Sequence, residues 1–140
     1  MISQTAEYAI RALAYISANG SGRRVLAREI SKELAVPANY LSKILHHLAR
    51  SRVLASARGA SGGFELAVDP QTVTLLDVVK LFDGTATRRE CFLGQAICSD
   101  EDPCHVHDRW KPVITAYLDF LAEMTLAEMA RRRPGTPLRP

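Results

Sequence analysis

Apolar residues recur at helical spacing through most of this chain. Ala6, Ala9, Ile10, Leu13 and Ile16 form an i, i+3, i+4 stripe, which predicts a first helix. Asn19-Gly20-Ser21-Gly22 ends it, since glycine tolerates the backbone of a C-cap and loop. Leu26, Ile30 and Leu34 share one face of a second helix over about 26–35. Pro37 disfavours helical geometry at Val36 and suits the start of the next helix. That third helix, about 38–51, turns Leu41, Ile44, Leu45 and Leu48 inward. Two short helices across a tight turn, the second with a polar outer face, are a helix-turn-helix pattern.

The period then changes. Residues 53–58 and 63–67 are short and strand-like, and Gly59-Ala60-Ser61-Gly62 joins them into a β-hairpin. A hairpin directly after a helix-turn-helix is a wing. Thr74-Leu75-Leu76-Asp77 is a capping box opening a helix with Leu76, Val79 and Phe82 apolar. Residues 85–107 carry no periodicity. A last long helix starts near residues 108–111, with Pro112 expected in its first turn. Its apolar stripe is Trp110, Ile114, Tyr117, Leu118, Leu121 and Met124. Thr125-Leu126-Ala127-Glu128 is a second capping box and implies a break and a short further helix.

These elements predict a mainly α fold: a winged helix-turn-helix with a two-stranded β wing and a long C-terminal dimerisation helix. The corresponding division is a DNA-binding domain over 1–84, a cysteine loop over 85–107, a dimerisation region over 108–130 and a disordered polar tail over 131–140. The length of 140 residues suits one domain with an appendage. No apolar run approaches the roughly 20 residues of a membrane span. The N-terminus lacks the basic and apolar regions of a signal peptide, so the expected location is the cytoplasm, with reduced thiols and no membrane partner.

Charge sharpens the reading. Residues 1–67 hold nine Lys/Arg against four Asp/Glu, whereas residues 68–140 hold nine against eleven. Positive charge therefore sits where the predicted DNA reader lies, as phosphate contact requires. A recognition helix turns short polar side chains to base edges and basic ones to phosphates. The outer positions of the third helix read as Asn39, Tyr40, Ser42, Lys43, His46, His47 and Arg50. Arg58 heads the wing, and the tip at Gly59, Ser61 and Gly62 lets backbone approach DNA closely.

The chain's three cysteines, Cys91, Cys98 and Cys104, fall within fourteen residues, and His107 follows. An odd count argues against a disulfide framework. Thiolates suit iron–sulfur clusters and zinc alike. Structural zinc sites usually pair short-spaced ligands. The gaps of six and five residues wrap a larger inorganic body more naturally, although Cys104-x2-His107 by itself fits zinc. An electron-transfer protein would explain the cysteines but leave the winged helix unexplained, and no catalytic constellation points to an enzyme.

Three stretches carry a family resemblance: Ser3-Gln4-Thr5-Ala6-Glu7-Tyr8-Ala9-Ile10-Arg11-Ala12-Leu13, Tyr40-Leu41-Ser42-Lys43-Ile44-Leu45 and Arg58-Gly59-Ala60-Ser61-Gly62-Gly63-Phe64-Glu65-Leu66-Ala67. With Thr74-Leu75-Leu76-Asp77-Val78-Val79 and Thr125-Leu126-Ala127-Glu128-Met129, they resemble the bacterial winged-helix family of the iron–sulfur regulator IscR and the nitric-oxide sensor NsrR. The resemblance spans residues 2–130. It implies a homodimer on a two-fold double-stranded DNA operator, with the long helices crossing at the dimer interface. It also implies an iron–sulfur cluster on Cys91, Cys98 and Cys104, [2Fe-2S] favoured over [4Fe-4S], ahead of zinc or no cofactor. His107 is the first candidate for the fourth ligand. Glu7 is its rival, because in nitric-oxide-sensing relatives an acid near this position reaches the cluster of the other subunit; His105 comes third. Ser42 stands where the iron–sulfur regulator carries an acidic base-reading residue, so operator sequence does not transfer. The alternative is a cluster-free regulator sensing thiol redox state or a small molecule.

Overall fold

The computed structural model describes residues 2–84 and 90–131. In chain order the elements are α1 (Gln4–Asn19), α2 (Ala27–Leu34), α3 (Ala38–Arg50), β1 (Leu54–Ala57), β2 (Gly63–Leu66), α4 (Leu75–Phe82), α5 (His107–Glu123) and α6 (Leu126–Arg131). The expected disordered tail lies outside the described residues, except Arg131, which ends α6.

Helix α1 is the hub. Ser3 caps it, its Oγ accepting the Ala6 N–H at 3.1 Å. Its buried face is Ala6, Ala9, Ile10, Ala12, Leu13 and Ile16. The alanines let neighbours come close, and α1 packs against α2, α3, α4, α6 and β2. Leu13, Ile30, Leu41, Leu45 and Leu48 are fully buried around it, and burying such a side chain contributes about 1.5–3 kcal/mol. Between α2 and α3, Ala35 takes the left-handed conformation at φ 52°. Val36 is tucked beneath, its N–H donating to Ser31 O at 3.1 Å while Ser31 Oγ donates to Val36 O at 2.6 Å. This turn sets the angle at which α3 leaves.

The wing pairs β1 and β2 antiparallel, Leu54 opposite Leu66 and Ala57 opposite Gly63. A third segment joins it. Val25 exchanges both backbone hydrogen bonds with Phe64, each at 2.8 Å. Gly63 makes this contact feasible: its φ is +119°, and a Cβ there would lie 2.6 Å from Val25 O.

The two predicted capping boxes both form and lie side by side. Thr74 and Asp77 cap α4 reciprocally, and Thr125 and Glu128 do the same for α6. Leu75 N–H donates to Met124 O at 2.9 Å, and Leu126 N–H to Val73 O at 3.0 Å. This bridge folds α6 back onto α1, with Leu126 fully buried.

Helix α5 corrects three expectations. It begins at His107, earlier than the 108–111 start. Pro112 is therefore its sixth residue, not part of the first turn. Proline removes the bond to the Asp108 carbonyl, and the helix tolerates this because Asp108 and Pro112 are both exposed. Its first turn is anchored instead from behind, by Trp110 N–H donating to Val106 O at 2.9 Å. Thirdly, the apolar stripe is covered in part by its own subunit: Ile114 and Leu121 are buried and Tyr117 packs against the core, while Leu118 is half-buried. The exposed apolar residues of α5 are Val113 at 54% and Phe120 at 52%. Among the described residues, no helix is long and apolar enough to cross a membrane.

Candidate functional site

Two regions carry the chemistry. On α3, Asn39, Lys43, His46 and Arg50 are exposed and Ser42 is half-exposed. Two positions read as outward are turned in. The Tyr40 hydroxyl hydrogen-bonds the Thr5 hydroxyl, and its ring packs edge-on to Tyr8 at 5.8 Å. His47 Nε2 meets the Leu81 carbonyl at 3.1 Å, and its ring lies against Phe82 at 4.9 Å. Both residues fasten the recognition helix to α1 and α4. His46 stays on the surface with its ring edge-on to Phe64 at 5.7 Å, linking α3 to the wing.

The wing tip holds exposed Arg58, Gly59 and Ser61, while Gly62 is buried. Gly59 turns at φ +89°, and its carbonyl accepts the Gly62 N–H at 2.9 Å. A Cβ on Gly62 would meet Gly59 O at 2.7 Å, so the tight tip excludes any larger residue. Arg24 escaped the sequence reading. Its guanidinium pairs with Glu65 at 3.0 Å and donates to Ser61 O at 3.3 Å, bracing the hairpin from the segment before α2. An open cleft of about 460 Å³ lies between that segment and the tip, lined by Arg23, Arg24, Ser61 and Glu65. The signal for it was the Arg23-Arg24 pair flanking a β-branched residue, whose partner lies forty residues on.

The second region is the loop between α4 and α5. Cys91 and Cys98 are buried, Cys104 half-buried, and His107 buried at the start of α5. His107 N–H donates to Cys104 O at 3.0 Å, so the helix start and the third cysteine are one unit. His107 Nδ1 lies 3.3 Å from Cys98 Sγ, and its Nε2 lies 2.8 Å from Asp100 Oδ1. Lys111 Nζ reaches both Asp100 oxygens, at 2.6 and 2.8 Å. Asp100 and Lys111 were also missed. Their signal was the i, i+4 spacing of His107 and Lys111, with an acidic run just upstream. Trp110 pins the loop's near end by donating to Glu90 O at 2.7 Å, its ring 5.3 Å from Phe92.

Cys91 and Cys104 influence one another's ionisation. Burial opposes ionisation of Cys91. The N–H groups of Gln95, Leu93 and Gly94, with the Cys104 thiol, outweigh it and hold Cys91 below the usual thiol range. At Cys104 the Val106 N–H favours the thiolate. Burial and the adjacent Cys91 and Cys98 sulfurs prevail, pushing that thiol above the usual range. Lys111 first, then His107, hold Asp100 below the ordinary carboxylate range.

Cys98 stands paired with His107, and Cys104 feels both the Cys91 and the Cys98 sulfurs. Among the described residues no three His, Cys, Asp or Glu side chains gather into a single-ion site. Three cysteine sulfurs and an imidazole in one segment, with backbone N–H groups around the Cys91 sulfur, fit the donor types of an iron–sulfur cluster. Glu7 lies elsewhere: it is exposed on the first turn of α1, 3.5 Å from Arg11. His105 is exposed.

Comparison with known proteins accounts for the architecture. Residues 2–132 match the Rrf2 family model, described as an iron-dependent transcriptional regulator. A protein of Aquifex aeolicus (strain VF5) named as an HTH-type transcriptional regulator is 34% identical over 131 residues, 92% of this chain and 90% of that one. IscR of Vibrio vulnificus (strain YJ016) is 25% identical, over 91% of this chain and 76% of the relative. Among solved structures, CymR, the global cysteine regulator of B. subtilis, superposes with TM-score 0.78 at 19% identity, over 93% of this chain and 95% of that one. T. potens IscR superposes with TM-score 0.71 at 21% identity, over 92% and 85%. These relatives are regulators rather than enzymes, and their structures share the winged helix described above. With its wing, its helix-turn-helix and a family match along nearly its whole length, this chain belongs to the Rrf2 family of transcriptional regulators.

Proposed function

We propose that the protein binds a two-fold DNA operator as a homodimer and that an iron–sulfur cluster on Cys91, Cys98, Cys104 and His107 sets its operator affinity. The observation that carries the reading is the pairing of buried Cys98 with the buried His107 imidazole at 3.3 Å. A [2Fe-2S] cluster would be held by these three cysteines and His107. When bound, such a cluster supplies one-electron redox chemistry and sensitivity to oxidants.

The chain's residues supply the rest. Asn39, Ser42, Lys43, His46 and Arg50 on α3 face the major groove, Lys43 and Arg50 meeting phosphates. Arg58 and the Gly59–Gly62 tip reach the adjacent backbone or minor groove. Tyr40 contributes through its hydroxyl anchor to Thr5, which holds the helix in place. The loop hangs between the end of α4 and the first turn of α5. Asp83, at the end of α4, also accepts the Ser3 N–H at 2.6 Å, so α1 and the loop share an anchor. Fixing or freeing the loop therefore alters where α5 leaves the domain, and with it the spacing of two recognition helices.

Anaerobically purified protein should carry iron and acid-labile sulfide, and Cys91→Ala, Cys98→Ala and Cys104→Ala should each lose nearly all of it. Three variants that keep wild-type iron, or a wild type that binds zinc alone, would sink the cluster reading. The second reading is a cluster-free thiol sensor. It is favoured by the mutual influence of Cys91 and Cys104 on ionisation and by the ionisation-prone Cys91. It expects a Cys91–Cys104 disulfide by mass spectrometry after mild oxidation, with altered DNA affinity in protein lacking iron.

A further inference from the structure

We infer that Asp100, clamped by Lys111, is the positioning residue that orients the His107 ring and presents Nδ1, rather than Nε2, as the donor atom beside Cys98. The inference deepens the cluster reading and rests on it for what His107 ligates.

The argument starts from hydrogen-bond capacity. A neutral imidazole has one N–H and one lone pair, and the partner of one nitrogen dictates the role of the other. His107 is 6% exposed, so neither nitrogen is free to use bulk water. Nε2 faces a carboxylate oxygen at 2.8 Å. An ionised carboxylate only accepts, and the Lys111 ammonium lies against both Asp100 oxygens as the counter-ion of such a carboxylate. Nε2 therefore carries the proton and donates it to Asp100. The lone pair is left on Nδ1, which points at Cys98 Sγ. A carboxylate holding the far nitrogen of a ligating imidazole fixes its tautomer and ring plane and raises its basicity.

Lys111 completes the device. It lies one helical turn beyond His107 on α5 and grips both oxygens of Asp100. The carboxylate is thus tied to the same helix as the histidine it orients, although Asp100 belongs to the loop before it. The loop segment between Cys98 and Cys104 is drawn onto α5 by this contact. Sequence distance hid the arrangement: the three residues are Asp100, His107 and Lys111, and only the last two share a period.

The test uses full-length protein with ring-¹⁵N-labelled histidine. In cluster-free, reduced protein with the ring neutral, the His107 Nε2–H proton should be shifted downfield and exchange slowly with water. Asp100→Ala should move it upfield and speed its exchange. Asp100→Asn, which keeps an acceptor but not the charge, should fall between, and Lys111→Gln should weaken the signal less than Asp100→Ala. In cluster-loaded, reduced protein, pulsed EPR should show ¹⁵N coupling from directly bound Nδ1, and Asp100→Ala should shorten the cluster's lifetime against a chelator by about tenfold. An unchanged Nε2–H resonance in Asp100→Ala would overturn the proposal, as would a cluster coupled to Nε2. Protein that binds no iron or sulfide but shows the expected Nε2–H behaviour would support the positioning of His107 and sink only the cluster reading.

Discussion

The two functional regions are built on opposite physical terms. The recognition helix lies on a continuous core: Leu41, Ile44, Leu45 and Leu48 are buried beneath it, and Tyr40 and His47 tie its sides to α1 and to α4. The described residues of the cysteine loop form no regular element, and Phe92, Leu93 and Ile97 are each more than half exposed. Its order comes from polar contacts at its ends, Trp110 to Glu90 and His107 to Cys98 and Asp100. A reader must present side chains to DNA at fixed spacing, so it is preorganised by packing. If the loop is the sensor proposed above, it must answer to a small chemical change, and its little buried apolar surface suits that role.

Stability separates the regions most sharply. Leu45→Ala should cost about 2–5 kcal/mol in urea unfolding, because a fully enclosed side chain leaves a cavity. Ile97→Ser, in the loop, should fall within about 0.5 kcal/mol of wild type. Equal losses would mean that the loop is packed as firmly as the core.

The next prediction concerns the apolar face that the subunit leaves uncovered. Val113 and Phe120 lie on one side of α5, seven residues and two turns apart, about 100° round the helix from buried Ile114 and Leu121. Phe120→Asp should weaken self-association by roughly 2 kcal/mol or more, giving monomer in sedimentation with helix content intact. Ile114→Asp should instead destabilise the subunit itself. A stable dimer bearing Phe120→Asp would exclude this face as the contact between copies.

That face also shows where sequence reading ran out. Val113, Ile114, Tyr117, Leu118, Phe120 and Leu121 surround so much of α5 that periodicity cannot say which half turns inward. The α1 stripe, the helix-turn-helix and both capping boxes were legible because their signals are local: 3.6-residue spacing and a side chain three positions from its cap. The three cysteines and His107 were legible as a set by composition and proximity. Contacts across long sequence separations were not. Nothing near Tyr40 announces Thr5, nothing near Phe64 announces Val25, and Asp100 has no partner until α5 begins. The sequence places Pro112 in the first turn because proline marks a helix start there, whereas the Cys104 and Val106 carbonyls, which accept from His107 N–H and Trp110 N–H respectively, start the helix earlier.

Within the reader, Arg58→Ala should weaken binding to all sequences alike and flatten the dependence of log affinity on log salt by about one unit. Arg58 is exposed at the wing, where a cation meets phosphate. An unchanged salt slope would remove Arg58 from the interface. Ser42→Ala should leave the slope alone and relax base preference.

The smallest effect belongs to Arg24, and its sign is informative. Its pair with Glu65 is partly exposed on both sides, so the pair stabilises the fold by no more than about 0.2–1 kcal/mol. A merely basic wing would treat Arg24 as one more phosphate contact. Arg24→Ala would then lower the salt slope as Arg58→Ala does, and Glu65→Gln, by removing a negative charge near DNA, would tighten binding. The geometry argues otherwise, because the guanidinium is spent on Glu65 and Ser61 O and braces the hairpin against Val25. On that basis Arg24→Ala and Glu65→Gln should both weaken binding by a few-fold in a gel-shift titration, with the salt slope unchanged. Tighter binding by Glu65→Gln would show that the wing needs no bracing and that charge alone sets its contribution.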